Sequence, residues 1–187
     1  MYKRQLSAVY DLPFGHDRHY ASKMPHFADA LFGGWTLSGI NSMLSGQPIN
    51  LTYDPSAAFL ATDGTKNSAI YRPNVLGNPM LPASQQTPAA YFNAAMVSVP
   101  TDVTHPYGNA GRNIASSNSL YNLDLGIHKQ FRLPWEGKNL EFRSEVFNTL
   151  NKTNFSPANG DASSSSFGKI TATFPARQVQ FALRLMF

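Results

Sequence analysis

The chain has 187 residues, enough to bury a core, but charged residues make up only 14% and there are 13 Gly and 13 Pro; soluble domains carry about 25% charge, so strands and loops are favoured over helices. A net charge of +4 on scattered Lys and Arg excludes a phosphate-tracking stripe and, with it, nucleic acid as a partner. The absence of Cys excludes disulfides, thiolate zinc sites and cysteine nucleophiles together, and no apolar run reaches the roughly 18 residues of a membrane-spanning helix.

In chain order, MYKRQLSAVYDL lacks the apolar centre of a secretory signal and runs directly into a strand-like pattern at residues 5–12. This is the expectation for a piece of a longer protein whose targeting signal lies upstream. A link at 13–34 has room for one helical turn near residues 27–32. It carries His16, Asp17, Arg18, His19 and, further on, His26. A metal centre needs about four ligands with oriented partners, so a solvated turn is the simpler reading. Residues 35–45 form the second candidate strand, bounded by Gly and Pro.

Residues 46–120 form a long connection rich in Pro, Gly and Asn. Its aromatics Tyr53, Tyr71, Tyr91, Phe92 and Tyr107 can stack on a sugar or aromatic ligand, or else anchor the loop internally. Arg112 is a candidate contact for an anionic ligand. The stretch from Gly108 to Gly111 lacks the Lys-Ser/Thr ending of a phosphate loop, and Asp54 and Asp63 lack the alternating acidic ligands of a calcium loop.

The clearest periodicity lies at 121–133, where Tyr121, Leu123, Leu125, Ile127, Phe131 and Leu133 alternate with polar residues and only Lys129 breaks the apolar face. A tight turn at 134–139 leads to a second alternating run at 140–150. A symmetric hairpin with Leu133 facing Leu140 pairs Arg132 with Glu141 and His128 with Glu145, and sets Gly126 opposite Phe147 and Lys129 opposite Ser144. Polar residues 151–176 precede a last alternating run at 177–187, with Val179, Phe181, Leu183, Leu185 and Phe187 on one face.

The expected fold is all-β: an antiparallel up-and-down meander of about five long strands. Thirteen alternating residues suffice to cross a bilayer at a tilt, and long connections (46–120, 151–176) lie at one end of the strands, as extracellular loops do in outer-membrane barrels. Five strands cannot close such a barrel, and open edges are not tolerated in lipid, so the meander is expected to be a fragment of a larger one. Asp124, His128, Arg132, Glu141, Arg143, Glu145 and Arg184 then face the lumen, while Phe131, Trp135, Phe142 and Phe187 gather as an aromatic girdle toward which Lys129 snorkels. The alternative is a soluble secreted β-sandwich that binds carbohydrate or serves in adhesion.

Eight segments occur in the order found in the C-terminal barrel portion of TonB-dependent receptors: Tyr10-Asp-Leu-Pro-Phe-Gly15, Gly33-Gly-Trp-Thr-Leu-Ser-Gly-Ile40, Ser45-Gly-Gln-Pro48, Arg72-Pro-Asn74, Gly108-Asn-Ala-Gly-Arg-Asn113, Asn122-Leu-Asp124, Phe142-Arg-Ser-Glu-Val-Phe-Asn148 and the terminal Phe187. The chain most resembles the Oar-like group, which has a carboxypeptidase-regulatory-like domain ahead of its plug. The resemblance implies a 22-stranded outer-membrane barrel that takes up a siderophore, glycan or peptide, and coupling to the TonB complex through the missing N-terminal part. It also implies that Val179, Phe181, Leu183, Leu185 and Phe187 are read by the barrel-assembly machinery, by strand addition at a free edge. No Ser-His-Asp order or G-x-S-x-G elbow is present, so neither enzymatic activity nor a cofactor is expected.

Overall fold

The computed structural model describes residues 2–16, 18–55, 71–102, 104–133 and 138–187. Asp17, Asp63 and Trp135, named above, lie outside them, as does the side chain of Arg132. The elements in chain order are β1 (Lys3–Asp11), α1 (His26–Phe32), β2 (Trp35–Leu44), β3 (Pro48–Ile49), β4 (Asn74–Val75), β5 (Val97–Ser98), β6 (Ala115–Ser116), β7 (Leu120–Arg132), β8 (Asn139–Phe147) and β9 (Gln178–Met186).

The five long strands form one antiparallel sheet in the order β1-β2-β7-β8-β9, so each lies beside its neighbour among the long strands. The chain divides into two compact units: a sheet unit of Lys3–Met43, Tyr121–Thr153 and Pro175–Phe187, and a loop unit made chiefly of Leu44–Leu120 and Asn154–Phe174. No helix among the described residues is long and apolar enough to cross a membrane.

Period-two alternation becomes two chemically distinct faces because successive side chains in a strand point to opposite sides. Across β8 and β9 the pairs Leu140↔Leu185, Phe142↔Leu183, Ser144↔Phe181 and Val146↔Val179 stand on one face, and Glu141↔Arg184 and Glu145↔Gln180 on the other. In the β1–β2 pair, the Leu12 amide donates to the Trp35 carbonyl at 2.8 Å and the Ser45 amide to the Tyr2 carbonyl at 2.9 Å. That register aligns Leu6 with Asn41, Ala8 with Gly39 and Tyr10 with Leu37, and Thr36 Oγ1 meets Asp11 Oδ1 at 2.6 Å on the opposite face.

The β7–β8 hairpin differs from the symmetric register by two residues. Phe131 faces Leu140, Gln130 faces Glu141, Lys129 faces Phe142, His128 faces Arg143, Ile127 faces Ser144 and Gly126 faces Glu145. The expected pairs Arg132 with Glu141 and His128 with Glu145 are therefore not formed, and Arg132 lies opposite Asn139. The cause is the loop: the Leu133 amide donates to the Lys138 carbonyl at 3.1 Å, so pairing continues one step past β7 and encloses four residues rather than six. A slip by two keeps every side chain on its own face, so the alternation survives unchanged.

Strand β8 ends at Phe147, short of residue 150, because Asn148 (φ 49°) and Asn151 (φ 50°) adopt the left-handed conformation that Asn tolerates better than most residues. Asn148 Nδ2 donates to the carbonyls of Lys152 (3.0 Å) and Pro175 (3.3 Å), and Asn148 Oδ1 accepts from the Lys152 amide at 3.0 Å. Asn151 Oδ1 accepts from the Arg177 amide at 3.2 Å, which fixes where β9 begins.

The buried hydrophobic residues lie in the loop unit. One cluster contains Ile49, Leu51, Tyr91, Phe92, Ala115 and Ala158, and a second contains Tyr53 and Tyr71. A 75-residue structureless connection would be anomalous, but this one has its own core and two short ladders, β3–β6 and β4–β5.

Candidate functional site

The apolar face of the sheet is built from β1, β2, β7, β8 and β9 and is largely uncovered. Phe181 is 70% exposed and Leu183 68%, and Val179, Leu185, Leu125, Ile127, Leu6 and Phe187 are exposed as well. Water-soluble proteins do not leave such a continuous apolar patch open. Ring contacts tie the face together across strands: Trp35 meets Phe142 edge-on at 6.1 Å, and Phe142 stacks on Phe181 at 6.3 Å. The five predicted assembly residues all stand here. Four of them lie on β9, which among the described residues pairs as a strand with β8 alone and so is an edge of the sheet.

The opposite face carries the polar residues, with partners that follow the shifted register. Glu141 is nearly buried and accepts from Arg143 Nε at 2.7 Å; Arg184 and Gln130 flank it as its cross-strand neighbours. Glu145 Oε2 accepts from Gln180 Nε2, and over Gly126 opposite, Ser38 Oγ and His128 Nε2 occupy the place a side chain would take. His128 Nε2 lies 3.2 Å from Ser38 Oγ, a contact from β2 that periodicity does not reveal. Asp124 Oδ1 accepts from Asn122 Nδ2 (2.8 Å) and from the Asn148 amide (2.8 Å). The Asn122-Leu-Asp124 and Phe142-to-Asn148 segments are therefore parts of one contact.

Lys129 stands on the apolar face yet is only 3% exposed. It does not snorkel freely. Its Nζ donates to the carbonyls of Asp29 (3.2 Å) and Gly33 at the C-terminal end of α1, and lies 5.3 Å from the Trp35 ring centre and 5.1 Å from that of Phe131. The Asp29 carbonyl also accepts from the Gly33 amide at 2.9 Å, and a cation at a helix C-terminus meets in addition a partial negative charge of about half an electron.

In the loop unit, the motifs separated in sequence prove to be halves of shared contacts. Arg72-Pro-Asn74 docks on Gly108-Asn-Ala110: the Gly108 amide donates to the Arg72 carbonyl at 2.9 Å, the Ala110 amide to the Pro73 carbonyl at 3.1 Å, and the Val75 amide to Asn109 Oδ1 at 2.6 Å. A side chain at Gly108 would place Cβ 2.3 Å from the Pro73 carbonyl carbon, so only glycine permits this approach. Gly46 is set likewise against the Ser117 carbonyl, beside the Gln47 amide's bond to Ser117 Oγ at 2.8 Å.

This frame decides the loop aromatics. Tyr71, Tyr91 and Phe92 are buried and serve as internal anchors, not as a platform open to ligand. Tyr53 is buried as well; its hydroxyl donates to the Pro106 carbonyl, and burial pushes its pKa up, with Tyr71 and Tyr107 adding to the shift. Tyr107 is exposed and stacks on Tyr71 at 5.6 Å, and Arg112 is exposed. Of the six candidate ligand contacts, these two are therefore at the surface. His16 and His26 stack at 5.7 Å, and no group of three or more His, Cys, Asp or Glu gathers to hold a metal among the described residues.

A sheet of long antiparallel strands, apolar and uncovered on one face and charge-paired on the other, is the wall of a transmembrane β-barrel. Comparison with known families agrees: residues 3–180 match the outer membrane beta barrel domain, and the chain belongs to that family. Its place is the bacterial outer membrane. No curated protein and no solved structure matches the chain. The soluble sandwich would need a second long sheet, and among the described residues the only other ladders are of two residues each.

Proposed function

We propose that the chain forms the C-terminal part of the barrel of a TonB-dependent receptor of the Oar-like group, within a 22-stranded barrel that serves the uptake of a siderophore, glycan or peptide. The observation that carries this reading is the pairing of the motifs. Segments whose order resembles that of this receptor group, Arg72-Pro-Asn74 and Gly108-Asn-Ala110, lock together as the frame of a loop unit with its own core. Such a frame holds Tyr107 and Arg112 on the surface of the loop unit, where they can contact a ligand. Val179, Phe181, Leu183, Leu185 and Phe187 are offered to lipid once folded and to the barrel-assembly machinery before that. No catalytic group or cofactor is assigned.

Uptake measured in cells with and without TonB tests the coupling. A ligand taken up through the intact receptor should still bind when TonB is deleted but should no longer enter, and entry unaffected by that deletion would refute the reading. Deleting Phe187 from the whole receptor should lower its amount in the outer membrane while synthesis continues; normal assembly would remove the signal role.

A further inference from the structure

Helix α1 reads His26-Phe-Ala-Asp-Ala-Leu-Phe32 and buries none of its residues. Phe27 is 79% exposed, Phe32 67% and Leu31 49%, and Phe14 and Tyr20 beside the helix are exposed too. Seven residues are too few to be stable as a free helix in water, so α1 depends on what fastens it. Its C-terminal end is fastened firmly: Lys129 Nζ takes the Asp29 and Gly33 carbonyls, and Trp35 Nε1 donates to the Leu31 carbonyl at 2.9 Å. Midway along the helix, Asp29 Oδ1 accepts from the His16 amide at 2.6 Å and draws the preceding link onto it.

The location of the fastening is informative. Lys129 projects from the same face as Ile127, Phe131 and the Phe142–Leu183 pair, and that face is the one the barrel turns to lipid. The helix is therefore held on the lipid side of the sheet, near the end closed by the 133–138 turn, where Trp35 and Phe131 supply interfacial rings. Its bare apolar side chains continue the lipid-facing surface, so phospholipid covers both.

We infer that α1 is an interfacial helix, seated among the phospholipid head groups and upper acyl chains at the short-turn end of the barrel, with Lys129 as the bolt that holds it to the wall. Phe27, Leu31 and Phe32 enter the lipid, while the Leu31 and Gly33 carbonyls at the end of the helix are taken by Trp35 and Lys129. The inference rests on the barrel reading, and its test separates the two.

The whole receptor, carrying Phe27→Cys or Phe32→Cys labelled with bimane, is placed in vesicles of phosphatidylethanolamine and phosphatidylglycerol. The vesicles contain phospholipid with a nitroxide near the top of one acyl chain, and a Leu183→Cys label serves as the wall reference. The expected result is that nitroxide lipid at least halves the emission at all three positions while aqueous iodide has little effect. Iodide quenching at 27 and 32 with lipid quenching at 183 would overturn the inference and leave the barrel intact; iodide quenching at 183 would overturn the barrel reading itself. Protection of 27 and 32 from both quenchers would mean that a protein covers the helix, which also overturns the inference. Lys129→Met should convert position 27 from lipid-quenched to iodide-quenched, whereas Lys129→Arg should keep it in lipid. If Met behaves as Arg does, Lys129 is not the bolt.

Discussion

Leu183→Arg, set beside Gln180→Arg, tests the assignment of faces on a single strand. Leu183 is the sixth of the nine residues of β9, one step from its centre; with a rise of about 3.3 Å per residue and a tilt of about 40°, it lies about 2.5 Å from mid-height. An arginine facing lipid near the midplane costs about 2–4 kcal/mol, which lowers the folded-to-unfolded ratio by roughly 30- to 700-fold at 1.4 kcal/mol per tenfold. Gln180 stands on the other face with its amide on Glu145, so an arginine there meets a carboxylate and should change stability by no more than about 1 kcal/mol. The assay is urea unfolding of the whole receptor in phospholipid vesicles, followed by the gel-mobility difference between folded and unfolded barrel. If the apolar face were in water, Leu183, already 68% exposed, would accept arginine within about 0.5 kcal/mol. That outcome, or an equal penalty at both positions, refutes the reasoning.

Three further outcomes follow from the loop unit. Tyr71→Ala removes a fully buried ring and should destabilise this unit by about 3–5 kcal/mol, whereas Tyr107→Ala should cost less than half of that; limited proteolysis of the loops reads the difference. Gly108→Ala drives a methyl group into the Pro73 carbonyl and should cost about 1–3 kcal/mol by the same assay while leaving the wall folded. Asp102 accepts from the Thr104 hydroxyl (2.7 Å) and amide (2.8 Å) and from His105 Nδ1 (2.9 Å), which hold its carboxyl down at about 2 from an ordinary 3.8. Because the folded value is the lower one, these bonds should be fully present above pH 3.8 and lost as pH falls through about 2. A carboxyl-carbon NMR titration of Asp102 with its midpoint near the ordinary value would contradict this.

The strands were legible because two solvents on two faces impose a period of two that nothing else in the chain imitates. The five strands expected at 5–12, 35–45, 121–133, 140–150 and 177–187 lie within a few residues of those observed. The hairpin register was not legible, because alternation cannot sense an even slip. Only the choice between a four- and a six-residue turn separates Gln130 from Arg132 as the neighbour of Glu141. The seat of Lys129 was hidden for a different reason: its partners are backbone carbonyls nearly 100 residues earlier in the chain, and carbonyls have no sequence signature. The buried loop aromatics sit in irregular backbone where burial has no period, so Tyr71 and Tyr107 looked alike in sequence. A usable signal was the repeated Asn and Gly in Arg72-Pro-Asn74 and Gly108-Asn-Ala110, since both residues favour close backbone docking.

The asparagine staple after β8 bears on how such a wall diversifies. Asn148 and Asn151 grip the backbone of Pro175 and Arg177, and the Phe174 amide donates to the Asn154 carbonyl at 2.8 Å, so the excursion Asn154–Phe174 leaves and returns through a closed neck. Whatever is threaded between those ends, long or short, β9 starts at the same residue and keeps the same residues on each face. Because loop length costs little once the ends are joined, the excursion behaves as an exchangeable cassette: its contents can drift with the environment while the membrane-facing strand stays in register.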